Sequence, residues 1–376
     1  MQTMHLIYFI KQPLSERDFR RFGVQDALQR GHRVTIIDLN DMIFPRLRGN
    51  SDFEPYYKNL ETDFYIIRKW SDFFRLRKLI ARADLVISLV RSFGLCWRSM
   101  PTFYMLAITG TPYLIIAPLV DPEFSAPKRR RSLVRRVLSM IVRLRFDDII
   151  ASILTRIPAR RLGLPAAHYA IYNGTASVFP NALIGPKTTQ IFAHAFDYDL
   201  YREAEAKTLR QKNQAVFLDQ FIPFHPDARA HKLETPDPFE YYTSLGNAFT
   251  QIEKELGVTV VISAHPRALP GELDIYSQGR QIFYGVSAET VAESRLVLTH
   301  FSRSANFAIL ARKPIYFMET QQLYNWTYWM PAFIDGYSKA IGIKPYFYDH
   351  DAKLYLGDAF KVDYAAYEAY EGRFIK

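Results

Sequence analysis

A histidine, a proline and an arginine follow a run of β-branched residues in the second half of the chain. The run Val258 to Ser263 (VTVVIS) predicts a buried strand, and Ala264 leads from it into His265, Pro266 and Arg267. Ligands of open parallel sheets bind beyond the carboxyl ends of the strands, so His265 stands where a ligand is expected. Pro266 stiffens the backbone, and an imidazole here can donate a hydrogen bond to a phosphate oxygen. We therefore predict a phosphate contact, with a purely structural histidine as the alternative.

A second polar turn lies between a predicted strand and a predicted helix, in the sequence Leu298 to Asn306 (LTHFSRSAN). Ser302 or Ser304 can cap the helix, and free backbone N–H groups beside small hydroxyls form an anion site. Simple N-capping is the alternative. The sequence has no glycine-rich phosphate loop, so the two turns together suit one or two phosphates of a nucleotide. The residues predicted to contact the nucleotide here are Thr299, Ser302, Arg303, Ser304 and Ala305.

A carboxylate ends the first predicted strand of the same half, Ala215 to Asp219 (AVFLD). At the carboxyl end of a strand, Asp219 is expected to face a cleft between two domains. There it can act as a general base on an acceptor hydroxyl, or as a nucleophile on an anomeric carbon. The alternative is an aspartate that only caps the following loop. We predict Asp219 and His265 as the catalytic pair.

Two further motifs carry weaker signals. Asp197-Tyr198-Asp199 has the D-x-D pattern of metal-dependent sugar transferases, but that pattern is common by chance, and we interpret it as structural. No metal site and no cofactor is therefore predicted. Asn173 and Gly174 begin a turn signal (NGTAS) that we assign to the acceptor side of the cleft.

A strongly basic stretch runs from Lys128 to Arg145 (KRRRSLVRRVLSMIVRLR) and contains no acidic residue. At helical spacing, Val134, Val137 and Ile141 share one face, which is typical of a helix lying on an anionic membrane surface. A helix packed in the core with a solvated basic back is the alternative. Nucleic-acid binding is not expected, because no aromatic stacking platform accompanies the charge. The opening residues lack a basic leader and no apolar run reaches about 18 residues, so we expect a cytoplasmic protein at the inner face of the membrane.

Along the whole chain, apolar runs of strand length alternate with segments whose apolar residues recur at helical spacing. These strands and helices must position the candidate residues. This alternation predicts parallel sheets covered on both faces, an α/β architecture with two Rossmann-like halves. The first half lacks G-x-G-x-x-G, so a dinucleotide site there has no support. Strands are predicted at 6–10, 32–39, 84–90, 112–117, 215–219, 258–263, 281–283, 295–299 and 314–318, and helices at 16–30 with Ser15 as N-cap, 73–83, 101–109, 238–256, 304–312 and 364–374.

The chain has 376 residues, of which 49% are hydrophobic and 23% charged, with a net charge of +10. Single cores rarely grow past ~250–300 residues, so two domains are expected. We predict an N-terminal domain over 1–205, a C-terminal nucleotide domain over 206–345, and a tail helix within 346–376 that can cross back to the first domain. The boundary falls in the polar stretch Tyr201 to Asn213. One cysteine, Cys96, excludes a disulfide scaffold and fits a reducing compartment.

As a set, Asp219, the pair His265-Pro266 and the turn Thr299 to Ser304 resemble bacterial GT-B glycosyltransferases that use CMP-activated acidic sugars, such as Kdo and sialic-acid transferases of surface polysaccharide assembly. The resemblance covers roughly Val216 to Met318. It implies two Rossmann-like domains with a cleft between them, a CMP held by the His-Pro pair and the serine turn, and a carboxylate as base or nucleophile. The acidic D/E-D/E-G motif of the sialyltransferases is not found in the first half, which moves the expected carboxylate to Asp219.

The resemblance thus implies transfer of an acidic sugar from a CMP-linked donor to a glycan or lipid-linked acceptor, in lipopolysaccharide or capsule synthesis. Two other functions stay open. Enzymes resembling polyol-phosphate transferases use a CDP-linked donor and histidine bases, for which His225, His265 and His300 are candidates. A peripheral membrane scaffold with a degenerate cleft is the non-enzymatic alternative.

Overall fold

The computed structural model describes residues 2–43, 56, 62–90, 97–117, 122, 157, 159–178, 181–207, 209–225, 234–325, 330–348 and 355–376. The basic stretch 128–145, on which the membrane prediction depends, lies outside these residues. The chain forms two compact units. The first contains Met1–Pro118, Lys128–Asn173 and Ser177–Ala193, and the second contains Leu119–Pro127, Gly174–Ala176 and His194–Lys376.

The first unit is built on a parallel sheet of seven strands in the order β3-β2-β1-β4-β5-β6-β7. The strands are β1 (His5–Ile10), β2 (Arg33–Asp38), β3 (Asp63–Ile66), β4 (Leu85–Ser88), β5 (Tyr113–Ile116), β6 (Tyr169–Asn173) and β7 (Thr189–Ala193). The helices described with it are α1 (Glu16–Arg21), α2 (Val24–Gln29), α3 (Asn40–Ile43), α4 (Trp70–Arg75), α5 (Arg77–Ala81) and α6 (Met100–Thr109).

Both faces of this sheet are covered at β1, whose successive side chains point to opposite sides and are buried on each. Leu6, Tyr8 and Ile10 pack with residues of α1 and α2, whereas Ile7 and Phe9 pack with residues of α4, α5 and α6. The two outermost strands, β3 and β7, are different, since Phe64 and Ile66 of β3 and Ile191 and Phe192 of β7 are exposed.

The second unit repeats the architecture with six parallel strands in the order β10-β9-β8-β11-β12-β13. They are β8 (Gln214–Leu218), β9 (Thr259–Ser263), β10 (Ile282–Phe283), β11 (Leu296–Thr299), β12 (Ile315–Glu319) and β13 (Tyr346–Phe347). Its helices are α7 (Phe196–Glu205), α8 (Pro238–Leu256), α9 (Ser287–Glu293), α10 (Ala305–Leu310), α11 (Gln321–Tyr324), α12 (Met330–Ile341) and α13 (Tyr364–Tyr370), followed by a π-helical turn, Glu371–Ile375.

Alternation along β8 separates two cores in this unit. Ala215 and Phe217 face α8, whereas Val216 and Leu218 face the side formed by α9, α10, α12 and α13. The long helix α8 begins at Pro238 behind the N-cap Asp237 and ends at Gly257, whose φ of 64° lies in the left-handed region. Its predicted bounds, 238–256, are confirmed.

The predicted parallel architecture is confirmed in both halves, but several element bounds are corrected. The helix predicted over 16–30 is two helices, because Gly23 at φ 68° breaks it after Phe22; its N-cap Ser15 is confirmed. The helix predicted over 73–83 is α4 and α5, and it begins earlier, at Trp70. The polar stretch assigned to the domain boundary begins inside α7, which belongs to the second unit.

The C-terminal segment belongs to the second unit. Tyr367, Tyr370 and Phe374 pack into the core that also contains Tyr337 of α12. Ala195, which belongs to the same unit, donates its N–H to the carbonyl of Ile375 over 2.7 Å. Among the described helices, none has the length and apolar character needed to cross a bilayer.

Gly174 packs tightly against the backbone of the C-terminal segment. Its φ is 71°, and a Cβ there would lie 2.4 Å from the carbonyl oxygen of Arg373, so both conformation and space require glycine. Gly257 has a similar φ of 64° but open space around it. We expect Gly174→Ala to lower the free energy of unfolding by about 3 kcal/mol, against about 1 kcal/mol for Gly257→Ala, in chemical denaturation. Equal losses in the two variants would show that the contact with Arg373 is not tight.

Candidate functional site

Three neighbouring strands of the second sheet end at the same level. Leu218, the last residue of β8, is in register with Ser263 of β9 on one side and with Thr299 of β11 on the other. The predicted phosphate turns follow β9 and β11, and Asp219 follows β8 between them. The topology therefore brings the three predicted polar segments to one edge of one sheet, as the carboxyl-end rule requires.

The turn after β8 connects the other two. Asp219 donates its N–H to the carbonyl of Ser263 over 3.0 Å, and the side-chain amide of Gln220 donates to the carbonyl of Phe301 over 2.8 Å. The ring of Phe221 stacks on the ring of His265, with an interplanar angle of 8° and 6.4 Å between centroids. Three consecutive residues thus contact both predicted phosphate turns. We call Asp219–Phe221 the β8 turn.

Phe221 holds an unusual backbone conformation within the β8 turn. Its φ of 55° and ψ of 34° lie in the left-handed region, which costs a non-glycine L-residue about 1–2 kcal/mol. The Asp219 carboxyl group accepts the backbone N–H groups of Gln220 and Phe221, and these bonds hold the turn. Strained backbone of this kind is typical of functional sites.

The Asp219 side chain is enclosed, with 4% of the residue exposed. The Tyr242 hydroxyl of α8 donates to its Oδ1 over 3.5 Å, and no described residue hydrogen-bonds Oδ2. Burial raises the pKa of Asp219 to about 7, since the hydrogen bonds from Phe221, Tyr242 and Gln220 only partly offset the loss of solvation. A general base or nucleophile has to reach its substrate, whereas in this conformation the carboxyl group is buried.

His265 is half-buried and oriented from several sides. Besides the stacked Phe221, His225 approaches it edge-on, with 5.3 Å between ring centroids. The backbone N–H of Arg267 donates to Nδ1 over 3.2 Å. Because Nδ1 accepts, the neutral ring carries its proton on Nε2, the tautomer that can donate to a phosphate oxygen. Pro266 and Arg267 are exposed beside it.

The turn after β11 is more closed than predicted. Ser304 donates its N–H to Ser302 Oγ over 3.2 Å, and the N–H groups of Ala305, Asn306 and Phe307 are donated to carbonyls of the same turn. The expectation of free N–H groups at these positions is therefore wrong, and α10, with six residues, is too short for a strong terminal dipole. Thr299, Ser302 and Ala305 are buried, so Arg303 and Ser304 supply the accessible surface.

His300 belongs to the core. Its Nδ1 donates to the Met318 carbonyl over 2.5 Å, and its Nε2 accepts from the Tyr241 hydroxyl over 2.9 Å. Burial lowers the pKa of His300 to about 4. A neutral ring with both nitrogens engaged in the core cannot exchange a proton with a substrate.

The D-x-D motif is structural in the described geometry. Asp197 accepts a 2.8 Å hydrogen bond from Asn306, whose amide oxygen accepts from Tyr370 over 3.2 Å, so the aspartate joins α7 to α10 and α13. Asp199 lies 3.6 Å from His194. In the described part of the chain, no cluster of three metal-ligating side chains is found.

The predicted acceptor turn is divided between the two units. Asn173 ends β6 in the first unit, while Gly174 belongs to the second, against Arg373. The structure thus gives Gly174 a packing role, and acceptor binding at this turn stays a prediction.

Sequence reasoning missed Gln220, Phe221 and Tyr242, although each contacts a predicted site segment. An Asp followed two residues later by a bulky aromatic is no turn signal, because the left-handed region favours glycine and asparagine. In the sequence, Tyr242 is one of several residues on the apolar face of α8. Its position beside the end of β8 can be recognised only when the sheet order is known.

No protein-family model matches the chain, and no curated protein matches it by sequence. Among solved structures it is similar to the calicheamicin glycosyltransferase CalG4, at 12% identity and a TM-score of 0.50 over 98% of this chain and 92% of that one. It is also similar to the glycosyltransferase of kitacinnamycin, at 13% identity and a TM-score of 0.50 over 99% and 94%.

The chain has the GT-B fold. The two strand orders and the similarity over nearly the full length agree, and the predicted fold class is confirmed. At 12% and 13% identity these comparisons establish the GT-B architecture alone.

The buried carboxyl group of Asp219 predicts a pH dependence of stability. Its folded pKa is raised from 3.8 to about 7, so the unfolded chain loses this proton first as the pH rises. Its contribution is therefore favourable below pH 4 and is lost between about pH 4 and 7. We expect Asp219→Asn to be more stable than the wild type at pH 8, by up to about 4 kcal/mol, and little different at pH 4. Urea unfolding at both pH values measures this; a less stable variant at pH 8 would contradict it.

Proposed function

We propose that the protein is a glycosyltransferase that moves an acidic sugar, Kdo or another nonulosonate, from a CMP-linked donor to a glycan or lipid-linked acceptor. The observation that carries the proposal is the β8 turn in a GT-B fold, because it ties His265 and the serine turn to one edge of the second sheet. A nucleotide phosphate at that edge lies where parallel sheets bind ligands.

His265 is proposed to contact the donor phosphate. Its Nε2–H donates to an oxygen that gains charge as the sugar leaves, and stabilisation of that charge is the main catalytic contribution. The rings of Phe221 and His225 restrict its motion, so little reorganisation is needed. The hydroxyls of Ser302 and Ser304 complete the proposed phosphate contacts, and Pro266, which has no N–H to donate, stiffens the backbone after His265.

Arg267 and Arg303 support an acidic donor. Both are exposed, and each is in or next to a predicted phosphate turn. CMP leaves with a single phosphate, which a histidine and nearby cations can neutralise. A donor sugar with its own carboxylate presents a second anion for a guanidinium group.

Metal-independent transfer is part of the proposal. The carboxylate of Asp197, the first acid of the D-x-D motif, is already bound by Asn306 in the core. A single phosphate places less charge on the site than a diphosphate, which is the species that divalent cations commonly neutralise.

The surface-polysaccharide role and the cytoplasmic, membrane-peripheral location remain proposals from the sequence. Eight basic side chains in 128–145 suit an anionic membrane surface, where a lipid-linked acceptor is held. Polyol-phosphate transfer loses one of its three histidine candidates, since His300 is buried in the core.

A nucleotide panel tests the donor. We expect CMP to raise the melting temperature more than CDP, UDP or GDP, and His265→Ala to weaken CMP binding at least tenfold, about 1.4 kcal/mol, in titration calorimetry. His194→Ala is the matched control, since His194 lies in the same unit beside Tyr198 and outside the site. Unchanged CMP affinity in His265→Ala would refute the phosphate contact, and stabilisation by CDP alone would favour polyol-phosphate transfer.

Chelation tests the absence of a metal requirement. We expect the rate of CMP-sugar turnover to be unchanged by excess EDTA, and Asp199→Asn to retain the wild-type rate, because neither carboxylate of the D-x-D motif is assigned to the donor. Loss of turnover with EDTA and its recovery with Mg²⁺ or Mn²⁺ would contradict this.

A further inference from the structure

The carboxyl group of Asp219 is buried and hydrogen-bonded. Three interactions converge on it from two directions: the N–H groups of Gln220 and Phe221 from its own turn, and the Tyr242 hydroxyl from α8. A group that is 4% exposed and accepts local backbone donors is arranged to hold a turn.

The turn that it holds has one consequence outside itself. With φ at 55°, the chain reverses at Phe221, and the phenyl ring is brought flat against the imidazole of His265. The short helical turn Ile222–Phe224 then follows and delivers His225 to the edge of the same imidazole. The contacts that orient His265 from two sides therefore depend on the conformation at Phe221.

We propose that Asp219 is a positioning residue for His265, acting through the left-handed turn at Phe221, and that it is neither the base nor the nucleophile of the reaction. The inference rests on the proposed function only in that His265 is taken to contact the donor phosphate. Gln220 positions the serine turn in a similar way, because its side-chain amide donates to the Phe301 carbonyl and fixes the start of that turn.

Two substitutions at Asp219 separate positioning from proton or sugar transfer. Asn keeps a carbonyl oxygen that accepts the two backbone N–H groups, whereas Ala keeps none. For a positioning role we expect Asp219→Asn to retain donor turnover within about tenfold and Asp219→Ala to lose about 100-fold or more. A base or nucleophile would be lost equally in both.

A spectroscopic readout makes the test independent of activity. In ¹⁵N-histidine-labelled full-length protein, we expect His265 to show the Nε2–H tautomer in the wild type and in Asp219→Asn, and a mixture of tautomers in Asp219→Ala. Phe221→Gly provides a second variant, because glycine adopts the left-handed conformation and removes only the ring. It is also expected to give a mixture, and it keeps the test available if Asp219→Ala does not fold. The signal of His300 is the internal control, and His265→Ala assigns the resonance.

The outcomes are distinct. A wild-type His265 signal in both Asp219→Ala and Phe221→Gly would overturn the inference, as would loss of turnover in Asp219→Asn with the His265 signal intact. A tautomer shift in Asp219→Ala, in a protein that binds no cytidine nucleotide, would support the positioning role and refute the proposed donor.

Discussion

The candidate site depends on one constraint, the common register of three strand ends. Ser263, Leu218 and Thr299 lie side by side because β8 is hydrogen-bonded to β9 and β11, and a shift of one residue in either pair would turn its polar segment to the other face. Because β8 lies between β9 and β11, the β8 turn can contact the polar segments that follow both of these strands. A backbone hydrogen bond, an amide side chain and an aromatic ring each make one of these contacts, so the turn couples sheet geometry directly to side-chain orientation.

The polar groups near that edge differ in how far they are buried. On the α8 side, Asp219 and His300 are buried against two consecutive tyrosines, Tyr242 and Tyr241, whose rings meet edge-on. These buried groups are bonded mainly to one another and to backbone, whereas His265 is half-buried and Arg267 and Arg303 are exposed. The buried groups fix the conformation, and the more accessible groups meet solvent. Such a division lets a site be rigid while its chemistry remains accessible.

The sequence predicted the architecture well where hydrophobic periodicity was strong. The strand in VTVVIS has a clear run of β-branched residues. The helix 238–256 has an amphipathic pattern that ends at a glycine. Both elements are confirmed. The strands β3, β6, β7 and β13 were not predicted, because they lie toward the sheet edges, where partial burial gives no continuous apolar run. For the site, the strand-end positions of Asp219, His265 and Ser302 were predictable, since they follow from local pattern. Their burial and the left-handed Phe221 were not, because both depend on what the sheet order places opposite them.

The border strand β7 of the first sheet has a practical consequence. β7 is the last strand of the described order, its sequence TQIFA carries no charge, and Phe192 is 57% exposed on it. An uncharged, apolar border strand is a template for edge-to-edge pairing between molecules, which proteins usually prevent with lysine or proline. Self-association at high concentration is therefore expected to begin at this strand. A lysine in place of Ile191 offers a way to suppress it without changing Asp219, His265 or the serine turn.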